Sequence, residues 1–150
     1  WKNMESQGYT VAVALDEYWK FRFDPEMKVR YSEWMSADFN DSSWFTIKST
    51  QCWQLQGTNA NGPGVYRIAF DVPKNVDPAK QEVVLAFGGL GSGAGHLYFN
   101  SGWIDWLKQT IDVSKVIKPG EKNYATIVCL NKTGPGGLMG PVKLLVRDRK

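Results

Sequence analysis

The chain has 150 residues, a mass of 16.9 kDa and a formal net charge of +3, so its length fits a single domain that can bury a core. Its 18 Lys and Arg residues are scattered rather than grouped, which argues against nucleic-acid binding, and no apolar run approaches the roughly 20 residues of a membrane span. Aromatic residues are unusually frequent, with seven Trp, six Tyr and seven Phe. We therefore expect no nucleic-acid or membrane partner, and more aromatic side chains than a core needs.

The first third of the chain predicts short strands separated by turns. Residues 1–8 are expected to form a polar lead-in, followed by strands at 9–15, 18–23 and 44–48. Apolar and polar side chains alternate in the second of these, and Pro25 ends it because proline lacks a ladder donor. The polar loop at residues 54–64 has no apolar anchor and is expected on the surface.

Residues 64–73 give the clearest strand signal in the chain. One face of this segment carries only apolar side chains, namely Tyr66, Ile68, Phe70 and Val72. Gly64 and Pro73 bound the segment, since neither residue suits the middle of a central ladder. The pattern predicts a half-buried strand whose apolar face must pack against a second sheet.

The second half predicts further strands at 82–87, 96–100, 124–130 and 141–146, with one helical turn within 111–123. Residues 101–110 are expected to form a loop between strands. In total we expect about eight to ten mostly antiparallel strands, little helix and one β-sandwich domain over residues 1–150. Cys129 lies in a strand-like segment and is expected to be a buried thiol, whereas its pairing with Cys52 stays open.

The glycine-rich run at residues 88–95 comes close to a dinucleotide-binding fingerprint. That fingerprint needs a helix directly after the glycines, because the helix N-terminus holds the pyrophosphate. The residues that follow, from His96 onward, read as a strand instead. We interpret the run as a turn between strands.

Catalytic signatures are weak throughout the sequence. His96 is the only histidine, and no serine-nucleophile motif accompanies it. One His and two distant Cys make a poor zinc site. The Asp and Glu residues fall mostly in turns, and no pair stands out as the two carboxylates of a glycosidase. We therefore predict that the domain has no catalytic residues of its own.

The segment from Trp103 to Trp106 differs from the rest because two indoles flank Asp105. Sugars present C–H faces that stack on aromatic rings and hydroxyls that bond to charged or amide groups, so this composition suits a carbohydrate ligand. The alternative is that either Trp is a core residue at the end of the sandwich. Trp53 with Gln54, and Tyr98 with Asn100, are further candidates for the same role.

Several motifs stand in an order that resembles the sugar-binding domain of glycoside hydrolase family 2. The opening motif comprises Trp19, Phe21, Asp24, Trp34, Asp41, Trp44, Ile47 and Trp53. The central-strand motif comprises Gly64, Tyr66, Arg67, Phe70, Val72 and Pro73. The later motifs comprise Val84, Phe87, Gly88, Gly89, Leu97, Tyr98 and Asn100, then Asp112, Val113 and residues 117–123. The resemblance covers roughly residues 18–146.

This resemblance implies a galactose-binding-like jelly-roll sandwich within a larger, carbohydrate-active protein. In that family the catalytic carboxylates lie on a separate barrel, so the expected partner is a catalytic domain of the same parent chain. Many related modules hold a structural calcium ion, which becomes an expectation here, together with an extracellular or periplasmic location. The chain begins at Trp1 rather than Met, which fits a processed protein or a part of a longer one.

We therefore predict a non-catalytic carbohydrate-binding module of a bacterial, secreted polysaccharide-degrading enzyme. Its ligand, a polysaccharide or oligosaccharide, would stack on indoles at the end loops. The candidate ligand-binding residues are Trp103, Asp105, Trp106, Asn100, Tyr98, Trp53 and Gln54. Two alternatives stay open, namely a structural domain that packs against a catalytic barrel without its own ligand, and a small enzyme.

Overall fold

The structure is a computed structural model that describes residues 2–23, 34, 36, 38–51, 62–91, 94–131 and 137–150. Within these ranges a short helix, α1 (Lys2–Ser6), precedes ten strands. The strands are β1 (Thr10–Ala14), β2 (Tyr18–Phe23), β3 (Phe45–Lys48), β4 (Gly62–Asp71), β5 (Gln81–Phe87), β6 (Ala94–Phe99), β7 (Gly102–Trp106), β8 (Thr110–Asp112), β9 (Lys122–Asn131) and β10 (Val142–Asp148).

The strands form two antiparallel sheets. One sheet has four strands in the order β1-β10-β5-β8, and the other has six in the order β3-β2-β4-β9-β6-β7. Their inner faces enclose one large hydrophobic cluster. The predicted all-β jelly-roll sandwich of antiparallel strands is confirmed.

Alternation along β4 places its aromatic side chains in the core, as the sequence predicts. Tyr66 is fully buried, and the rings of Trp19 and Phe21 approach it edge to face at centroid distances of 6.2 and 4.8 Å. The Tyr66 hydroxyl accepts a hydrogen bond from the backbone N–H of Leu138 at 3.0 Å, so its polar end is satisfied inside the core.

The N-terminal residues take part in the fold, which corrects the expectation of a polar lead-in over residues 1–8. Met4 packs with Tyr9 against the outer face of the four-stranded sheet, on Val84, Ala86 and Leu145. Nearby, Glu82 accepts hydrogen bonds from the Tyr9 hydroxyl at 3.0 Å and from the Arg147 guanidinium. The sequence hides this arrangement because Met4 is the only apolar side chain among the described residues 2–8.

Glycine explains how the run at residues 88–91 meets the segment at residues 137–140. The N–H of Gly88 donates to Pro141 O at 2.7 Å, and the N–H of Met139 donates to Gly89 O at 3.0 Å. A Cβ atom on Gly140 would lie 2.4 Å from the nitrogen of Gly89, so the two backbones approach closer than any side chain allows. Strand β6 follows the run, where a dinucleotide fingerprint needs a helix.

Arg67 ties four described residues that precede β3, namely Trp34, Ser36, Phe39 and Asp41, to the outer face of the six-stranded sheet. Its side chain is 5% exposed and forms an ion pair with Asp41 at 3.0 Å. The guanidinium also donates to the carbonyl oxygens of Trp34 and Ser36, the latter at 3.0 Å, and lies over the Phe39 ring. A planar group with five donors can meet all of these acceptors at once, which lysine cannot.

Replacing Arg67 tests this role. We expect Arg67→Met to lower the free energy of unfolding by about 2–4 kcal/mol, because Asp41 and two carbonyl oxygens lose their partner. Urea denaturation followed by tryptophan fluorescence measures the change. Lys20→Met is the matched control, since Lys20 lies opposite Arg67 on β2 but is only half-buried, and it should change stability by less than about 0.5 kcal/mol. Equal effects of the two substitutions would contradict the assignment.

Candidate functional site

Trp103 and Trp106 lie on a strand, β7, which corrects the expectation of a loop over residues 101–110. In the described part of the chain, β7 is the last strand of the six-stranded sheet and pairs with β6 only. Apolar and polar side chains do not alternate regularly along β7, because the ladder between β6 and β7 contains a bulge. Tyr98 lies opposite Trp103, but Leu97 lies opposite Asp105, so Ile104 is an extra residue.

This bulge decides where the two indoles point. In a regular strand, residues three apart face opposite sides of the sheet. Here Trp103 is paired with Tyr98 and Trp106 with His96, and these partners share a face because they are two residues apart on β6. Both indoles therefore lie on the outer face of the sheet, where they are 51% and 56% exposed, while Ile104 packs towards the core.

His96 contacts both exposed indoles. Its Nδ1 atom accepts a hydrogen bond from Trp103 Nε1 at 3.4 Å, and its ring lies against the Trp106 ring with a centroid distance of 4.4 Å and an interplanar angle of 35°. Burial lowers the pKa of His96 below its ordinary value, so the imidazole is neutral near pH 7. We call the three rings of His96, Trp103 and Trp106 the aromatic platform.

Asp105 and Lys108 form an ion pair on β7 and just after it. Asp105 lies opposite the core residue Leu97, so its side chain leaves the strand on the other side from the two indoles. The Lys108 ammonium lies 2.7 Å from one Asp105 oxygen, and the other oxygen accepts the backbone N–H of Trp106 at 2.8 Å. These two bonds lower the pKa of Asp105 below its ordinary value, so the carboxylate is ionised near neutral pH. Both side chains are partly exposed at the β7 edge of the sheet.

Tyr98 connects the aromatic platform to the rest of the outer face. It is 7% exposed and packs with Trp44, Val65 and Val128 in a second hydrophobic cluster. Its ring centroid lies 6.5 Å from that of His96. Tyr98 thus supports the platform from within the sheet and offers little surface of its own.

Asn100 is held by the fold rather than turned towards a ligand. It begins the two-residue turn between β6 and β7 with a φ of 50°. Its amide nitrogen donates to Val116 O at 2.8 Å and to Asn123 Oδ1 at 2.9 Å, and its amide oxygen accepts the N–H of Tyr124 at 2.9 Å. These internal bonds engage both polar atoms of the side chain, so we exclude Asn100 from the candidate site.

Two other predicted ligand residues, Trp53 and Gln54, lie outside the described residues, and so does Cys52. Cys129 is buried and free, and burial raises the pKa of its thiol to about 12, so it is protonated and unreactive at neutral pH. This agrees with the predicted buried thiol.

Sequence patterns did not predict His96 as a neighbour of the two tryptophans, or Lys108 as the ion-pair partner of Asp105. The sequence does carry a signal for His96. His96 and Tyr98 lie two apart on a strand that is followed by a short turn, so a hairpin would place a residue of the next segment opposite each of them. The bulge that aligns Trp103 with Trp106 leaves no such signal, since any residue can occupy an extra ladder position.

Nothing in the described ranges assigns residues to a metal ion. No group of three His, Cys, Asp or Glu side chains there lies close enough to hold one. In the same ranges, no helix has the length and apolar character that a membrane crossing requires.

The fold defines a class of protein, namely a two-sheet β-sandwich domain, with two exposed indoles at one edge of the larger sheet. No protein-family model matches the chain. The chain is 26% identical to a β-galactosidase from Psychromonas ingrahamii over 83% of its own length, and 28% identical to a β-galactosidase from Photobacterium profundum over 77%. It spans only 14% and 13% of the length of these relatives.

Solved structures agree on the fold. A β-glucuronidase from Ruminococcus gnavus superposes on 94% of this chain with a TM-score of 0.77 at 19% identity, and the match covers 29% of that protein. A β-glucuronidase from glycoside hydrolase family 2 superposes with a TM-score of 0.71 at 18% identity and is covered to 18%. The predicted resemblance to the family 2 jelly-roll domain is confirmed. By size and sequence, the chain corresponds to an accessory domain of such proteins and not to their catalytic domain.

Substitutions at Asn100 test its structural role. We expect Asn100→Ala to lower the free energy of unfolding by about 2–3 kcal/mol. The substitution removes the internal hydrogen bonds of the amide, and alanine tolerates a positive φ less well than asparagine does. Asn100→Gly should lose about 1 kcal/mol less, since glycine accepts that φ without strain. Urea denaturation measures both, with Asn75→Ala in an exposed turn as the control. A stable Asn100→Ala protein would return Asn100 to the list of ligand candidates.

Proposed function

We propose that this domain binds carbohydrate as a non-catalytic module of a polysaccharide-degrading glycoside hydrolase. The aromatic platform is the proposed binding surface. One observation carries the proposal: Trp103 and Trp106 are both more than half exposed on the same face of the sheet. Neither indole is a core residue, so packing of the core does not explain them. Large exposed aromatic side chains that lie together are unusual on soluble domains and mark binding surfaces.

The chemistry of the platform suits a sugar ring. An indole face offers a flat apolar surface to the C–H groups of a pyranose, and burial of that surface stabilises the complex. A sugar chain that extends past the platform around the β7 edge would meet the ionised Asp105 carboxylate as a hydrogen-bond acceptor and the Lys108 ammonium as a donor. A broad apolar surface with a few polar groups near it is the composition expected for carbohydrate recognition. The proposed site lies on a sheet face at an edge strand and not on the end loops.

Similarity to β-galactosidases and β-glucuronidases supports a glycoside hydrolase as the parent protein. We propose that a catalytic domain in the same parent chain is the intramolecular partner, and that the sandwich keeps this domain near its polysaccharide or oligosaccharide substrate. Such tethering raises the local concentration of substrate without new contacts at the active site. We also propose an extracellular or periplasmic location, where polysaccharides are encountered.

Alanine substitutions in the platform test the proposed function. Titration calorimetry of the 150-residue chain against a panel of barley β-glucan, xylan, galactan and galactomannan should find binding to at least one. Trp103→Ala and Trp106→Ala should each weaken that binding about tenfold, since each removes the burial of one indole face. The double variant should abolish it.

Phe45→Ala is the matched control for these substitutions. Phe45 is 71% exposed on β3, at the opposite edge of the same sheet, so its loss removes an aromatic side chain without touching the platform. Its affinity for the polysaccharide should equal that of the wild-type chain. Binding that survives in the Trp103→Ala, Trp106→Ala double variant would refute the platform as the site.

A second candidate function uses the same surface. The indoles lie on an edge strand that is unpaired on one side within the described residues, and such edges pack readily against another domain. The platform would then dock on the catalytic domain of the parent chain, with no ligand of its own. Absence of binding to the whole panel, together with complex formation between this chain and that catalytic domain that the double variant loses, would favour docking.

A further inference from the structure

We infer that His96 is a positioning residue that holds both indoles of the aromatic platform in their binding geometry, and that carbohydrate binding weakens when His96 is protonated. This inference rests on the carbohydrate-binding function proposed above, and it adds a regulation of that site by acid. His96 itself need not touch the sugar, because it acts through Trp103 and Trp106.

The contacts of the two indoles lead to this inference. Each indole is more than half exposed, so the rest of the protein touches only a part of each ring. The described hydrogen bond of the Trp103 N–H ends on His96 Nδ1, and the ring contact of Trp106 is made with the His96 imidazole. One side chain therefore fixes the tilt of both rings on an otherwise open surface.

Protonation of His96 changes both contacts. A neutral imidazole offers a lone pair at Nδ1, which accepts the Trp103 indole N–H, whereas an imidazolium carries protons on both nitrogens and can only donate. The Trp103 indole then faces a donor and must turn away. Trp106 keeps its neighbour, but as a cation against its face rather than as a neutral ring. Acidification therefore disturbs Trp103 more than Trp106.

The groups around His96 leave the imidazole as the titrating centre. On β7 and just after it, the charged groups are Asp105 and Lys108, which are paired with each other. On β6 the ionisable neighbour is Tyr98, and β9 presents Val128 opposite His96. Because Lys108 holds the pKa of Asp105 below its ordinary value, Asp105 stays largely ionised down to about pH 4.5.

The sign of the pH effect follows from the burial of His96. Its pKa is lowered in the folded protein, so the unfolded chain takes up this proton more readily than the folded chain. The contribution of the neutral imidazole is complete above the unfolded pKa of about 6.5 and is lost as the pH falls through the lower folded pKa. The expected working range for the platform is therefore neutral pH, with progressive loss as the pH falls below the unfolded pKa of about 6.5.

The first experiment follows the free protein without sugar. In ¹⁵N–¹H spectra, the Trp103 indole N–H resonance, identified by its absence in Trp103→Phe, should shift in a single titration step between pH 7.5 and pH 4.5. His96→Asn should abolish this step, since its amide oxygen occupies the place of Nδ1 but does not titrate. The wild-type titration needs no substitution at His96, so it decides the question even if a variant folds poorly. A Trp103 resonance that does not titrate would overturn the positioning role.

The second experiment measures binding to whichever polysaccharide of the panel the wild-type chain binds at pH 7.5. Its Kd should rise about fivefold to tenfold at pH 4.5, which corresponds to the loss of roughly one hydrogen bond. His96→Asn should give a pH-independent Kd. His96→Phe, which keeps a ring against Trp106 but offers no acceptor to Trp103, should bind weakly at both pH values.

The outcomes separate this inference from the function on which it rests. Polysaccharide binding with the same pH profile in wild-type and His96→Asn proteins would overturn the inference and leave carbohydrate binding standing. Absence of binding to every polysaccharide would overturn the proposed function and the acid effect on it, while the Trp103 titration would still decide whether His96 positions the indole.

Discussion

The ion pair and hydrogen bonds of one buried arginine are the contacts on which the outer face of the larger sheet depends. Arg67 projects from the central strand β4 away from the sandwich core, where water would normally be expected. Asp41 and the carbonyl oxygens of Trp34 and Ser36 surround its guanidinium and draw the segment before β3 across the sheet. This cover allows Trp44 and Tyr98 to be buried on a face that β-sandwiches commonly leave to solvent. Removal of one partner would leave a buried charge uncompensated, so the loss of any of these contacts is costly.

The aromatic platform begins where this covered region ends. Tyr98 belongs to the covered cluster. His96, two residues before Tyr98 on β6, contacts the two indoles that remain exposed to solvent. The sheet face therefore changes from buried aromatic side chains near its centre to exposed ones at its β7 edge. A rigid sheet suits a recognition surface, because rings held by a ladder lose little conformational freedom when a ligand binds. The same rigidity suits docking on another domain, which is why the experiments above separate these two uses of one surface.

The chain is similar to a small part of much larger glycosidases. The chain matches 14% and 13% of two β-galactosidases, and it aligns over most of its own length with part of β-glucuronidase structures. At these identities the shared jelly roll says little about surface side chains, which change faster than core residues. The platform depends on the β6–β7 bulge and on particular residues at the sheet edge. It is therefore a feature of this chain's own geometry, and a shared fold alone does not imply it.

The sequence alone determined the sandwich, because period-two alternation in segments such as β2 and β4 requires two layers to bury their apolar faces. It also picked out Trp103 and Trp106, since indoles beside a carboxylate are a chemical signal independent of fold. Tertiary structure decided the rest. The bulge between β6 and β7 set which way the indoles face, and strand pairing brought His96 to them. Asn100, an attractive ligand by residue type, was drawn into turn hydrogen bonds by a partner 23 residues away, Asn123. Such contacts depend on pairing register, which no local pattern records.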